Sequence, residues 1–192
     1  MSPDVMASKG EKTRSEIIIC AKNLFYQRGY ESTSFSDIVK ASGVYRGNIY
    51  HYFKTKDEIL EAVIQQRQTD IRTGLAYWET QYPDPRARLQ AFVAMVSRNT
   101  ELIEYGCPIG SLNIEIGKEQ RELQQQARVL FDLFRDWLTQ QFVALEYKDD
   151  AETMGLHLLG RAQGIAVIAQ VYHDENVLKR ETQMLADWVR EL

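Results

Sequence analysis

Apolar positions recur at helical spacing along almost the whole chain. Ile17, Ile18, Ala21, Leu24 and Phe25 fall at i, i+1, i+4, i+7 and i+8, one stripe of a helix that Gly29 ends. Ser34 with Asp37 three residues on opens a short helix through Ile38, Val39 and Ala41, and Gly43 closes it. A third short helix is predicted over about 45–52. Thr55 and Glu58 form a capping box for a long helix through Ile59, Leu60, Val63 and Ile64 toward Trp78. Tyr82-Pro-Asp-Pro85 is the clearest break: Asp84 can cap the next helix and Pro85 take its first position. That helix carries Leu89, Phe92, Val93 and Val96 and is predicted to reach about Tyr105, with Cys107-Pro108-Ile109-Gly110 irregular or a short turn of helix. Three more helices follow: about 119–145, then from Asp149 or Asp150 to about Tyr172, then from a cap at Asn176 to the end. No segment alternates as a strand does, so the fold class is all-α with about nine helices.

Three short helices with a tight glycine turn between the second and third describe a helix-turn-helix. The turn is Ala41-Ser-Gly43-Val44, and Val44 can pack back on Ile38. The third helix then presents Tyr45, Arg46, Gly47, Asn48, Tyr50 and His51, with Ile49 and Phe53 left as anchors. Arg46 can bond guanine O6 and N7, and Asn48 can pair with adenine. Tyr45, Tyr50 and His51 can reach phosphates, sugars or thymine methyls. Lys56 with the first N–H groups after Thr55 offers an anion site, as does Ser34 at the second helix. Charge agrees: residues 1–56 carry +4, while the rest carry −8 of the formal net −4. A basic head on an acidic body meets a polyanion through the head alone.

Composition narrows the alternatives. The 192 residues include 2 cysteines, Cys20 and Cys107, with neither a disulfide framework nor zinc spacing. His51, His157 and His173 are too scattered to make a metal set. No nucleophile elbow, phosphate-binding glycine loop or His-Glu-x-x-His appears, so neither enzyme chemistry nor a cofactor is expected. No apolar run approaches the ~18 residues of a membrane span, and the start has no apolar secretory core. A soluble cytoplasmic protein with no membrane partner is expected.

Phe35-Ser-Asp-Ile-Val-Lys-Ala-Ser-Gly-Val44, then Arg46-Gly-Asn-Ile-Tyr50-His-Tyr-Phe-Lys-Thr-Lys56-Asp-Glu-Ile-Leu60, resembles the TetR family of bacterial transcriptional regulators. The likeness spans about residues 13–60 and includes the Gly-Val turn, the Gly-x-Ile-Tyr-x-Tyr-Phe core and the Phe-x-x-Lys-x-x-Ile step into the fourth helix. One departure is Tyr45, where the family often has a capping Ser or Thr. The resemblance implies a helix-turn-helix DNA-binding domain at 11–56 and a ligand-binding and dimerisation domain at 57–192; residues 1–10, polar with nothing to pack, are expected to be a disordered tail. It implies a ligand-responsive regulator, most simply a repressor, that binds double-stranded operator DNA as a homodimer and is released by a small-molecule effector. Phe92, Met95, Cys107, Leu112, Phe131, Phe134 and Arg161 are the pocket candidates. Arg161, mid-helix among apolar residues, either pairs with an acid such as Glu115 or anchors an anionic ligand. Leu158, Ala162, Ile165, Ala166, Ala169, Leu185 and Trp188, with Gly155 and Gly164, are the candidate dimer surface. Cys107, after Gly106 and before a short helix, admits a second reading as a redox or electrophile switch. A third is a helical enzyme or carrier that keeps the head unused.

Overall fold

A computed structural model describes residues 9–118 and 120–192. Among the described residues there are ten α-helices: α1 (Lys9–Arg28), α2 (Phe35–Ser42), α3 (Arg46–Tyr52), α4 (Lys56–Gln81), α5 (Pro85–Arg98), α6 (Glu101–Tyr105), α7 (Gly110–Ile116), α8 (Arg121–Ala144), α9 (Ala151–Tyr172) and α10 (Glu175–Glu191). A 3-10 turn at Lys148–Asp150 precedes α9, and no strand occurs among the described residues.

The local signals act where the side chains place them. Gly29 and Gly43 leave α1 and α2 at φ of 87° and 67°, the left-handed region that glycine enters without a Cβ penalty. Ser34 Oγ accepts from Asp37 N at 3.1 Å while Ser34 N donates to Asp37 Oδ2 at 2.8 Å, a reciprocal box with Asp in the Glu position. Thr55 Oγ1 accepts from Glu58 N at 3.1 Å, but Glu58 returns its carboxylate to Lys54 N, one residue before the cap. Asp84 accepts from Arg86 and Ala87, with Pro85 at the first helical position.

Several boundaries differ from expectation. The helix expected to reach 105 breaks at Asn99-Thr100; residues 107–109 are a turn, as expected, and lead into a separate helix, α7, from Gly110. Asp174, not Asn176, caps α10: its Oδ1 accepts from Asn176 N at 2.8 Å. Asp150 lies at the start of α9 without a side-chain capping bond. Lys9 and Gly10 are already helical, and the rest of the expected tail, residues 1–8, lies outside the described residues. So does Glu119, the expected start of the eighth helix, which is described from Arg121.

Two apolar cores share the chain. One gathers Ile17, Ala21 and Phe25 of α1, Ile38 of α2, Ile49 of α3 and Ile59, Leu60 and Val63 of α4. It continues without a break into Leu112 and Ile116 of α7 and Leu123, Ala127 and Leu130 of α8. The other lies among α5, α8, α9 and α10, around Phe92, Leu138, Phe142, Leu158 and Leu185. α4 runs from the first core into the second and so ties the head to the body.

α9 is apolar on two sides. Leu158, Ala162, Ile165, Ala166 and Ala169 point inward and are at most 7% exposed, packed with Leu185 of α10 in the subunit's own core. Gly155 serves the same packing, since a Cβ there would lie 3.0 Å from the Thr139 backbone of α8. These residues therefore build the monomer rather than a dimer surface, a correction to the sequence expectation. The other side of α9 carries Leu156, Val167, Ile168, Val171 and Tyr172, all exposed, with Gly160 and Gly164 on the same stripe. No described helix is long and apolar enough to cross a membrane.

Candidate nucleic-acid interface and effector cavity

α3 is held by Ile49, fully buried, and by Phe53 just beyond its end. These anchors turn the opposite face outward, where Tyr45, Arg46, Gly47, Asn48, Tyr50 and His51 are all exposed. Tyr45 precedes the helix with no side-chain capping bond, as its phenol cannot replace a serine hydroxyl. It is 78% exposed, and its ring edges over Gly47, where a Cβ would meet it at 3.1 Å. Phe35 stacks on Tyr50 with centroids 4.9 Å apart, and the Arg46 guanidinium lies 5.6 Å from the same ring while donating to its hydroxyl at 3.3 Å. Arg46 and Tyr50 thus form a braced unit, with less side-chain freedom to lose on binding.

Ser34 is exposed beside this face, its hydroxyl already shared with Asp37. Those bonds from the Ser34 side chain and backbone hold the Asp37 carboxyl below its ordinary pKa. Lys56 departs from expectation. Its Nζ donates to the Tyr30 carbonyl at 2.8 Å and sits 3.9 Å from the Tyr30 ring, so the ammonium braces α4 against the loop after α1. Tyr30 is fully buried, with its hydroxyl donated to Asp57. Burial and that bond push its phenol far above the usual range, so it stays a donor.

Arg46→Ala should cost about 1–3 kcal/mol per half-site and relax preference at one base position. Binding-site selection with wild type and variant measures this. Uniform weakening across all sequences would make Arg46 a phosphate contact instead.

The body holds a cavity of about 210 Å³. Phe92, Met95, Cys107, Phe131 and Phe134 line it, as the sequence suggested, with Ile71 of α4 and Leu159 of α9. Leu112 does not: it is buried in the first core. Arg161 does not either. Its guanidinium lies 5.6 Å from the Trp188 ring on the far side of α9, and Glu115 is not its partner. Trp188 itself is half-buried against α9, with His157 edge-on at 5.5 Å. Sequence reasoning missed Arg67, Asp70, Asn99 and Gln163, the polar groups of the lining. Helical spacing along α4 gives no sign that Arg67 faces inward, because the wall exists only once α5, α6 and α9 close over it.

Glu115 instead joins body to head. Its two carboxylate oxygens accept from the backbone N–H groups of Tyr30 and Glu31, each at 2.9 Å. Gly29 makes room, since a Cβ there would lie 2.8 Å from Oε1. Gln120 donates to Glu31 at 3.1 Å, and Tyr26 donates to the Gly106 carbonyl at 3.0 Å. Burial, then the nearby Glu101, push the Tyr26 phenol up to about 12, so it keeps the proton it donates. The segment from Leu102 to Ile109 that walls the cavity therefore leads directly into the residues that grip the end of α1.

An exposed, braced recognition helix on a helix-turn-helix, carried by a helical body, defines a DNA-binding transcriptional regulator. The comparisons narrow the class. Residues 17–63 match the bacterial regulatory proteins, tetR family, and residues 85–184 match the transcriptional regulator LmrA/YxaF-like C-terminal domain. The chain belongs to the TetR family of transcriptional regulators. It is 25% identical over 181 residues to an HTH-type transcriptional regulator in the lacX 3′ region of Lactococcus lactis subsp. lactis, covering 90% of this chain and 91% of that one. With the HTH-type transcriptional regulator LmrA of Bacillus subtilis it shares 28% identity over 129 residues, 65% of this chain and 66% of the other. The fold superposes on a TetR-family regulator from Agrobacterium tumefaciens at a TM-score of 0.83 and 20% identity, covering 93% and 98% of the two chains.

Proposed function

We propose that this regulator is a repressor that binds operator DNA as a homodimer in the cytoplasm and lets go when a small molecule fills the cavity. The observation that carries the reading is the continuity between cavity wall and head. Cys107 and Ile109 line the cavity, and Glu115, one turn or two further on, holds Tyr30 and Glu31. A ligand that fits one placement of this wall better than the other shifts the placement of the heads. The dimer surface of this reading is the outer stripe of α9, Leu156, Val167, Ile168 and Val171, together with exposed Met184 of α10. A Cβ at Gly160 or Gly164 would meet nothing within 4 Å, so a second helix can approach their backbone closely. Ser34, Tyr45, Arg46, Gly47, Asn48, Tyr50 and His51 supply the DNA contacts, two heads reading half-sites about one helical turn (~34–36 Å) or a multiple apart.

The test is a gel shift on the DNA upstream of the protein's own coding region, at fixed salt because the phosphate contribution alone moves affinity by orders of magnitude. A specific shift is expected, weakening as salt rises. If neither that DNA nor any sequence selected from a random pool is bound specifically, the repressor reading fails.

One observation favours a second reading, release through Cys107. Its sulfur lies in the cavity wall and accepts from Gly110 N at 3.4 Å, and Arg67, absent from its sequence neighbourhood, lines the same cavity. Under this reading an oxidant releases the wild type from DNA and leaves Cys107→Ser bound. Equal release of both assigns the response to reversible ligand binding.

A further inference from the structure

The cavity contains a charge that the protein does not answer. Its lining is mostly apolar, and its ionisable members are Arg67, Asp70 and Cys107. Asp70 is already satisfied: Oδ2 accepts from Lys22 at 3.0 Å and Oδ1 from Gln66 at 2.8 Å. Burial alone would push its carboxyl up, but those two bonds and the charges of Lys22 and Arg67 hold it below its ordinary value, so it is ionised and paired. Arg67 has no hydrogen bond or ion pair with any described residue, and its Nε is buried without a partner. Burial lowers the pKa of its guanidinium, yet arginine remains protonated in proteins. Tyr26, also near it, is neutral and spends its proton on Gly106. Asp70 acts on Arg67 through space but is hydrogen-bonded to Lys22, so two cations share one carboxylate and this side of the cavity carries a net positive charge.

Folded proteins leave few buried donors unpaired, and each calls for an explanation such as an absent ligand. Arg67 as a whole is half-buried, but a charged donor shut away from water without a partner, as its Nε is, lowers stability until a ligand answers it. A planar guanidinium is matched best by a carboxylate, which can take two parallel N–H bonds. A dianion would bring one charge too many into a mostly apolar space, and a neutral ligand would leave Arg67 as it is. Size sets a further limit. An apolar cavity of ~150 Å³ takes a benzene ring, so about 210 Å³ has room for one ring and a short acidic arm.

Resting on the effector reading above, we propose that the effector is a small apolar monoanion, an aromatic carboxylic acid of about one ring. Its carboxylate is bound by Arg67 and its body by Phe92, Phe131 and Phe134. Asn99 and Gln163 complete the polar part of the site.

The experiment is calorimetric titration of the full-length protein with benzoate, cinnamate and 3-phenylpropionate and with their amides. At least one acid is expected to bind about tenfold or more tightly than its amide, a difference of ~1.4 kcal/mol. Arg67→Gln should abolish that preference and Arg67→Lys retain part of it. A second measurement needs no ligand: Arg67→Met should leave the Tm unchanged or raise it, because it removes an unanswered charge. Acids and amides binding alike, no acid binding at millimolar concentration, or a Tm several degrees lower in Arg67→Met would each overturn the anion site. An acid that binds through Arg67 without altering operator affinity in the gel shift upholds the anion site and refutes the effector reading instead.

Discussion

Val171→Arg is expected to convert the protein to a monomer and to lower operator affinity about a thousandfold or more. Val171 is 70% exposed on the outer stripe of α9, between Ile168 and Tyr172, which are 47% and 69% exposed. In a dimer formed through this face, the residue becomes buried against a second copy of the same stripe. An unpaired guanidinium there costs several kcal/mol, counted once from each subunit. About 4 kcal/mol already corresponds to a factor of ~10³. Operator binding falls with it, because a monomer presents one head instead of two. Sedimentation velocity reads the mass and a gel shift reads the affinity. Leu158→Ala is the informative contrast. Leu158 is fully buried in the subunit, so its truncation should cost about 2–5 kcal/mol of folding stability. Its folded fraction should still be dimeric. If Val171→Arg remains a dimer with full affinity, the outer face of α9 is not the interface.

Glu115→Ala should remove most of the effector response and destabilise the fold by about 3 kcal/mol. The substitution leaves the Tyr30 and Glu31 amides without their acceptor. Hydrogen bonds to a charged group contribute ~1.5–3 kcal/mol each, and one of this pair is at the exposed edge, so the sum lies near the lower end. For a chain of this length that is roughly a 6–12 °C fall in Tm, followed by thermal unfolding. The functional effect is separate. Allosteric coupling typically amounts to 5–150-fold in affinity, and severing its main covalent-free joint should bring the ligand-driven change in operator affinity close to none. Glu115→Gln keeps one acceptor and should lie between. A Glu115→Ala protein that still releases DNA in full would place the coupling elsewhere, with the Lys22–Asp70 pair between α1 and α4 the next candidate.

Much of the head was legible because its signals are local. A capping box needs two residues three apart, a left-handed stop needs one glycine, and both formed as read at Ser34–Asp37 and Gly43. The recognition helix follows from the same logic: two apolar anchors leave the other residues nowhere to point but outward. The contact of Lys56 with Tyr30 was not legible because the two lie 26 residues apart. The cavity was half legible. Its aromatic lining came from residues that are apolar at helical spacing, while Arg67 and Gln163 entered only through the way five helices close on one another.

α9 shows the limit most clearly. Its sequence is apolar nearly all the way round, which marks a helix buried on two sides but not which side meets which neighbour. Only packing decided that Leu158, Ala162 and Ile165 face the protein's own α8 and α10, and that Val167, Ile168 and Val171 are left outside. Glu115 is the same case in polar form. On α7 it is one acid among many, and it becomes a joint because the fold brings two amide groups to it from 84 and 85 residues away. By itself, then, the sequence determined most of the helices, the caps at Ser34 and Asp84, the outward face of α3 and the family. Those depend on neighbours a few residues apart. The tertiary structure decided the unanswered arginine, the outward stripe of α9 and the joint between body and head, because each is a relation between surfaces that meet only after the chain has closed on itself.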